Sequence, residues 1–313
     1  MNKLRVAVIG AGSFGRHHVR VIKEIQDVEL TAIVDPNIEG AHKNLEEVIG
    51  RIDAAIVATP TVTHESIATQ LLESGIDVLV EKPVAETSEG AERLARLAQK
   101  NGRILQAGHL ERFNPAVTAL EKALTIPLFF EVHRLSVFTP RSLDIDVVLA
   151  LMIHDLDIVL SFVGTMPEEI RAAGISVLSS KVDSANVRLA FASGCIANLT
   201  ASRISADQVR KLRLFQPGEY VSLDYQRQDA VRFAIRKNEA KIGFESLAVS
   251  PAEPLALELA TFFGCVRDRT EPRVDAFQAA KALRVAESIL AKIKEHADLV
   301  SKTIRSQSNF PAG

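Results

Sequence analysis

The chain has little cysteine, few aromatic side chains and no concentrated positive charge. Its two cysteines, Cys195 and Cys265, cannot build a disulfide framework. Acids and bases are interspersed to a net charge of −2, and no basic block with interleaved aromatics occurs, which argues against a nucleic-acid partner. Charges break every apolar run well before the roughly 18 to 20 residues of a membrane span. Because MNKLRVAVIG enters a strand without a secretory signal pattern, we expect a cytoplasmic protein with no membrane segment.

The composition that remains is that of a folded globular protein, with 47% hydrophobic and 24% charged residues. A length of 313 residues exceeds one usual domain and favours two. The first part alternates β-branched runs, such as LRVAVIG and VELTAIVD, with helical patterns, which predicts βαβ units in a parallel sheet. These strands are apolar on both faces, as a sheet covered by helices on each side requires.

The pattern changes after Phe113. Between Glu169 and Phe244, several strand-like runs are joined by short turns such as ASG and QPGE, which is typical of an antiparallel meander, and two long helices follow. We therefore predict an α/β protein. A doubly wound parallel sheet occupies residues 1–120, and an α/β domain with a large, mainly antiparallel open sheet occupies residues 121–313. A C-terminal helix can pack back on the first domain.

The turn after the first strand carries the motif Gly10-Ala11-Gly12-Ser13-Phe14-Gly15, and Asp35 ends the next strand, 20 residues beyond Gly15. In this pattern the first glycine permits a tight turn, the second lets a pyrophosphate approach the backbone, and the third lets the helix meet the strand. Asp35 can accept hydrogen bonds from a ribose 2′-hydroxyl and would repel a 2′-phosphate, so the motif predicts NAD rather than NADP. A glycine turn without a dinucleotide is the structural alternative.

Two further segments carry candidate catalytic groups. Glu81-Lys82-Pro83 ends the fourth strand, where an ammonium would point into the ligand cleft of an open α/β sheet. In VVLALMIHDLDIV, His154 and two aspartates interrupt an apolar helix, and such groups are costly to bury unless they are hydrogen-bonded or ionised for a purpose. A surface ion pair of Lys82 and a satisfied core histidine at position 154 are the structural alternatives.

Together, the motifs VIGAGSFG, ATPTVTHESIA, VEKPVAE, GHLERFNPA and MIHDLDIVLSFVG closely resemble the Gfo/Idh/MocA family of NAD(P)-dependent oxidoreductases over nearly the whole chain. The resemblance implies a Rossmann first domain and a second domain whose open sheet serves as an oligomer interface, hence a homodimer or homotetramer. It also implies that Lys82 and His154 face the nicotinamide and the reacting hydroxyl. His154 would be the base, and Lys82 would stabilise the developing alkoxide. Besides the glycine motif with Ser13 and Phe14, the implied cofactor-binding residues are Asp35, Thr59, Pro60, His64, Glu81 and Lys82.

Within this family, GHLERFNPAV and MIHDLDIV look most like the branch that acts on nucleotide sugars. That implies oxidation at C3 of a UDP-N-acetylglucosamine-type sugar, for later amination in lipid A assembly. Arg112 and Asn114 can donate to a sugar or phosphate, and Arg141 can face a diphosphate, because a guanidinium binds such oxygens in pairs. An ion pair at the domain junction, and a helix cap at Asn114 before Pro115, are the structural alternatives.

One position departs from the family pattern. Members usually place an aspartate four residues before the helix histidine, where this chain has Ala150, and Asp146 or Asp157 is a conceivable substitute. The departure supports a rival interpretation, a catalytically impaired NAD-binding sensor or partner subunit. An NAD-dependent glycosidase on the same scaffold is a third. We predict no metal site, because Asp155 is turned away from the face that His154 and Asp157 share.

Overall fold

The computed structural model describes residues 3–139, 143, 145–236 and 241–306. They form two compact units. The first contains Met1–Asn114 and Ala252–Leu283, and the second contains Pro115–Pro251 and the chain from Arg284 onward. None of the helices in these ranges is both long enough and apolar enough to cross a membrane.

The helices and strands are listed in chain order. They are β1 (Leu4–Ile9), α1 (Gly15–Glu24), β2 (Val28–Val34), β3 (Ala54–Val57), α2 (His64–Glu73), β4 (Asp77–Glu81), α3 (Ser88–Lys100), β5 (Leu105–Gly108), α4 (Pro115–Ala123), β6 (Phe129–Val137), α5 (Ile153–Val163), β7 (Glu169–Ile175), β8 (Ser184–Ala190), β9 (Ile196–Ser205), β10 (Val209–Gln216), β11 (Glu219–Asp224), β12 (Asp229–Arg236), β13 (Lys241–Ser246), α6 (Pro254–Asp268) and α7 (Ala276–Ser306). A π-helical turn, Val148–Met152, leads directly into α5.

The first unit is built on a five-stranded parallel sheet in the order β2-β1-β3-β4-β5. Successive residues of a strand face opposite sides of the sheet. Ala7 and Ile9 of β1 therefore enter a core with α2 and α3, while Val6 and Val8 enter a second core with α1. Both faces of the sheet are covered, and the predicted doubly wound parallel sheet is confirmed.

Residues 252–283 belong to the first unit although they follow the second sheet in sequence. The reason is hydrophobic: Leu259, Phe262 and Phe263 of α6 are fully buried in the core that also contains Val6 and Val8 of β1. The start of α7 packs in the core on the other side of the same sheet. The apolar faces of these helices thus complete the Rossmann layers.

The second unit is built on an eight-stranded sheet in the order β13-β12-β11-β10-β6-β9-β8-β7. All of its pairs are antiparallel except β6 with β9. Alternate residues such as Val132, Leu212 and Val221 are buried, and the ring of Phe130 contacts Phe162 of α5 at 6.4 Å between centroids. The predicted mainly antiparallel sheet is confirmed.

Candidate active site

The glycine loop lies where the strand order of the parallel sheet reverses, between β1 and β3. Gly10 has a φ of 84°, and a Cβ there would lie 2.8 Å from the carbonyl oxygen of Ala58. A Cβ on Gly15 would overlap the carbonyl oxygen of Gly10. These two glycines are therefore required by the protein's own backbone, which brings the loops after β1 and β3 into contact.

Gly12 is different, because an added Cβ would meet no described protein atom within 4 Å. The space beside Gly12 is what a ligand approaching the backbone needs. Helix α1 begins at Gly15, and among the described residues no side chain caps its N-terminus, so the positive end of its dipole is available to an anion. The loop fits the pyrophosphate of a dinucleotide.

Asp35 is held at the end of β2 by two backbone amides. The N–H of Ala11 donates to one carboxylate oxygen and the N–H of Asn37 to the other, each at 2.9 Å. Lys43 donates to the carbonyl oxygen of Ile38 at 2.7 Å and so closes the loop that follows. A carboxylate oxygen can accept more than one hydrogen bond, so Asp35 retains the capacity to accept from a ribose diol.

His64 joins the loop after β3 to the turn after β4. The residue is buried, Nε2 lies 2.8 Å from the carbonyl oxygen of Thr59, and Nδ1 lies 2.8 Å from that of Pro83. Carbonyl oxygens only accept, so a neutral ring satisfies just one of them and both are satisfied only when both nitrogens carry hydrogen. His64 was expected along the cofactor. Both ring nitrogens contact backbone carbonyl oxygens, which supports the loop of Thr59, and Pro60 is exposed.

Lys82 follows the last residue of β4 and is half-buried. Its backbone N–H donates to its neighbour, the Glu81 carboxylate, at 3.3 Å. Glu81 is buried, and its other oxygen lies 2.8 Å from Nε2 of His18 on α1. The Glu81 carboxylate thus fixes the turn that carries Lys82.

His154 lies in the first turn of α5, directly after the π-helical turn. Its neighbour Asp155 is buried and accepts two hydrogen bonds from the Arg134 guanidinium on β6, at 2.7 and 2.9 Å. The predicted divergence of Asp155 from the His154 face thus has a structural reason, because Asp155 anchors the helix to the sheet. Lys82 belongs to the first unit and His154 to the second.

The conceivable replacements for the missing aspartate are unequal. Asp146 accepts a hydrogen bond from the N–H of Val182 at 2.8 Å and thereby ties the start of the helix to the loop before β8. Asp157 is buried on α5, three residues beyond His154.

The substrate candidates fall in different places. Arg112 and Asn114 are buried, and the Asn114 amide donates to the Glu111 carboxylate at 3.2 Å. Helix α4 begins at Pro115, as the capping alternative requires. Arg141 lies outside the described residues.

The remaining polar candidates do not assemble a metal site. Within the described ranges, no three His, Cys, Asp or Glu side chains are placed to hold a metal ion. Cys195 is buried in the second unit, and burial raises the pKa of its thiol to about 11, which makes it a poor nucleophile.

Two buried acid–base residues escaped the sequence interpretation. His18 of α1 is buried, whereas its neighbour His17 is exposed, and Glu258 of α6 is fully buried. The sequence contained a signal for Glu258. It lies three residues after Leu255 and four before Phe262, on the apolar stripe of its helix, and like His154 it is a polar residue among apolar ones.

Comparison with known proteins finds a matching family model in each unit. A model described as an oxidoreductase family with an NAD-binding Rossmann fold matches residues 4–109, and a model of the GFO/IDH/MocA C-terminal domain matches residues 131–215. The UDP-N-acetylglucosamine 3-dehydrogenase of Acidithiobacillus ferrooxidans is 35% identical over 237 residues, 72% of this chain and 75% of that protein.

A solved structure of that A. ferrooxidans enzyme is similar over 94% of this chain and 99% of its own, with a TM-score of 0.89 and 30% identity. The inositol 2-dehydrogenase 4 of Saccharopolyspora erythraea is 32% identical over 138 residues, which are 39% of this chain and 41% of that protein. The first similarity spans both units, whereas the second is limited to a shorter stretch.

Proposed function

This chain belongs to the GFO/IDH/MocA family of oxidoreductases, and on that premise we propose that it oxidises a secondary hydroxyl of a nucleotide sugar to a ketone with NAD. The substrate we propose is a UDP-N-acetylglucosamine-type sugar, oxidised at C3. The observation that carries this proposal is the similarity to the A. ferrooxidans 3-dehydrogenase over 94% of the chain, second unit included.

NAD is favoured over NADP by Asp35. A carboxylate whose two oxygens are already fixed by backbone amides cannot turn away from a 2′-phosphate, and the like charges would repel. The same carboxylate accepts hydrogen bonds from a ribose 2′-hydroxyl. Gly12 leaves the space that the pyrophosphate occupies, and the N-terminus of α1 stabilises its charge.

The catalytic groups are Lys82 and His154. Bound NAD supplies the hydride acceptor. The Lys82 ammonium donates a hydrogen bond to the reacting hydroxyl and stabilises negative charge on its oxygen, an effect whose removal typically costs on the order of 100-fold in rate. His154 takes the hydroxyl proton at a ring nitrogen. The Arg134–Asp155 pair holds the helix of His154 against the sheet, and His18 with Glu81 holds the turn of Lys82.

The product, a 3-keto nucleotide sugar, is chemically suited to amination at C3, and lipid A assembly is the process that we propose uses it. We also propose that the reaction occurs in the cytoplasm. Cys195 and Cys265 are buried free thiols, as is usual in a reducing compartment.

We further propose that the chain forms a homodimer or homotetramer through the open face of its large sheet. Aromatic residues stand directly opposite one another on five successive strands of this face, namely Phe129, Phe215, Tyr220, Phe233 and Phe244. Ring centroids are 5.7, 5.2 and 4.5 Å apart along the first four. Phe244 is 74% exposed, and an apolar row that reaches solvent favours a protein partner.

The test is a direct assay of hydride transfer. Purified protein is mixed with NAD and each of several UDP-sugars, and nicotinamide absorbance is followed while the sugar product is analysed by mass spectrometry and NMR. We expect turnover with UDP-N-acetylglucosamine, loss of two hydrogens from the sugar, and a carbonyl at C3. Lys82→Met and His154→Asn should each reduce kcat by roughly 100-fold or more while NAD still binds.

Other outcomes would assign another function. Tight NAD binding without turnover on any sugar would indicate the sensor or partner subunit. Cleavage of a glycosidic bond with no net change in NADH would indicate a glycosidase. Turnover of free inositols or unlinked sugars, with nucleotide sugars inert, would refute the proposed substrate class and leave the family activity standing.

A further inference from the structure

A cluster of three buried titratable side chains includes Glu81, the residue directly before Lys82. The cluster consists of His18 on α1, Glu81 at the end of β4 and Glu258 on α6. All three are in the first unit and are at most 8% exposed. Buried acids and imidazoles are costly unless their charges are compensated, so the protonation of the cluster has to be accounted for.

The His18–Glu81 contact fixes one proton. Nε2 of His18 lies 2.8 Å from Glu81, and because an ionised carboxylate only accepts, Nε2 is the donor. Nδ1 of His18 is buried and has no hydrogen-bond partner among the described residues. A proton on Nδ1 would be an unsatisfied buried donor, which favours the Nε2–H tautomer that donates to the Glu81 carboxylate.

Glu81 has no freedom to move away from this contact. Its second oxygen accepts from the backbone N–H of Lys82 at 3.3 Å. On the neighbouring strand, a Cβ on Gly108 would lie 3.0 Å from the Glu81 carboxylate, so the glycine leaves only the room that the carboxylate needs. The charge is therefore held in one place, directly attached to the turn that carries Lys82.

Glu258 cannot carry a second negative charge in addition to that of Glu81. Glu258 is fully buried, and neither of its carboxyl oxygens has a hydrogen-bond partner in the described part of the chain. Burial first, and then the negative charge of Glu81, raise the pKa of Glu258 well above its ordinary value. An ionised Glu258 would be an uncompensated buried anion next to another anion.

We propose that Glu81 and Glu258 together hold a single proton, carried by Glu258, so that Glu81 is the only anion of the cluster. An ionised Glu258 would repel Glu81 and displace the turn that Glu81 fixes through the Lys82 N–H. The catalytic consequence rests on the proposed role of Lys82, whereas the location of the proton does not.

Isosteric amides separate the two acids. Glu258→Gln reproduces the shape of a neutral acid, so we expect a folded protein whose kcat stays within about threefold of wild type. Glu81→Gln removes the anion that accepts from His18 and Lys82, so we expect kcat to fall by roughly tenfold or more. Glu253→Gln, at an exposed carboxylate paired with Arg20 just before the same helix, is the control and should change neither activity nor titration.

Stability supplies a readout that needs no substrate. In the unfolded chain a glutamate loses its proton at about pH 4.3, whereas Glu258 in the folded protein keeps its proton to a much higher pH. Between these two pH values Glu258 is ionised only in the unfolded state, and this ionisation favours unfolding. The residue therefore makes the stability of the wild-type protein fall as pH rises above about 4.3. Glu258→Gln removes the slope. Its melting temperature should exceed that of wild type by a margin that grows between about pH 5 and about pH 8.

Infrared spectroscopy locates the proton even if a variant fails to fold. Wild-type protein at neutral pH should show the carbonyl stretch of a protonated carboxylic acid, which Glu258→Gln should lack and Glu81→Gln should keep. A wild-type spectrum without this band, or the same pH slope of stability in Glu258→Gln as in wild type, would overturn the proposal. If band and slope are as expected but no sugar is oxidised, the proposed function fails and the shared proton stands.

Discussion

Gly12 and Gly15 belong to one motif, but the reasons for a glycine differ at the two positions. At Gly15 a side chain would overlap the carbonyl oxygen of Gly10, whereas at Gly12 it would meet no described protein atom. Gly15→Ala should therefore lower the free energy of unfolding by about 1 to 3 kcal/mol, as overpacking does. Gly12→Ala should change it by less than about 0.5 kcal/mol.

For NAD binding we expect the opposite: in protein that remains folded, substitution of Gly12 should weaken binding more than substitution of Gly15. Gly12→Val places a side chain where the pyrophosphate approaches, and we expect the Kd for NAD to rise by roughly tenfold or more. Urea denaturation and NAD titration by fluorescence measure the two effects separately. A Gly12→Val protein that binds NAD as wild type does would exclude the loop as the pyrophosphate site.

His64 is the second residue whose role is set by its neighbours. His64→Phe removes the imidazole donor that lies between the carbonyl oxygens of Thr59 and Pro83, at a cost of roughly 1 to 3 kcal/mol. We expect a stability loss of that size by urea denaturation, and an intermediate loss for His64→Gln, whose amide can donate. His17→Phe, at an exposed histidine on α1, is the control. An equal, small loss in both phenylalanine variants would contradict the bridging role.

At the scale of elements, a buried ion pair joins α5 to the large sheet. Arg134 binds Asp155 through two nitrogens, and its guanidinium lies 4.8 Å from the ring centroid of Tyr225. Removing one partner leaves a buried charge, so Asp155→Asn should cost about 3 to 5 kcal/mol of stability. The double variant Arg134→Met/Asp155→Leu should lose less than the sum of the single losses, because no unpaired charge remains.

The same sheet provides a matched control for this pair. Arg213 and Glu131 form a 3.0 Å ion pair between β10 and β6, but their side chains are 51% and 34% exposed. Solvent screens such pairs, so Arg213→Met should cost at most about 1 kcal/mol. Denaturant unfolding is measured for Asp155→Asn and Arg213→Met, and for the double variant with its two component single variants, Arg134→Met and Asp155→Leu. A cost for Asp155→Asn as small as that for Arg213→Met would show that the buried pair does not hold α5.

The π-helical turn before α5 bears on the alanine that replaces the family's aspartate. Ile153 N–H bonds to the carbonyl oxygen of Val148, five residues earlier, so this turn is wider than an α-helical one. In an α-helix one turn takes 3.6 residues, so a residue four positions further along lies slightly more than one full turn away. A wider turn holds more residues and reduces this angular offset. Ala150 is thereby brought more nearly into line with His154.

A carboxylate introduced at Ala150 should therefore act on the imidazole. We expect Ala150→Asp to raise kcat or to shift the pH profile of kcat, measured with NAD and the sugar substrate at several pH values. Leu149→Asp, one residue off that line and similarly half-buried, is the comparison and should do neither. If Ala150→Asp only lowers stability, with activity no better, the expected partnership at this position is wrong.

At the scale of the whole molecule, the aromatic row on the open sheet predicts association of chains. Phe244 ends the row opposite Phe233 and is largely exposed. A second copy that covered this side chain would remove its apolar surface from water, which favours association. Phe244→Glu should shift the protein from oligomer to monomer in size-exclusion chromatography with light scattering. Leu299→Glu, at a 64% exposed residue of α7, should not. A monomeric wild-type protein would refute this interface.

Local sequence determined much of the first unit. The spacing of Gly10, Gly12 and Gly15 after a strand, with Asp35 closing the next one, predicted the glycine loop after β1, because those requirements act over a few neighbouring residues. Alternating and periodic apolar residues likewise predicted both sheets and their helices. Family resemblance then directed attention to Lys82 and His154.

Tertiary structure decided which polar groups support those residues. His64, Glu81 and Asp155 have partners 19, 63 and 21 positions away along the chain, and Glu258 is a buried acid only because α6 returns to the first sheet after the second is complete. Short-range patterns report how a segment is folded. Burial and hydrogen bonding between distant segments exist only once the chain has brought them together, and they set the charge and position of each group.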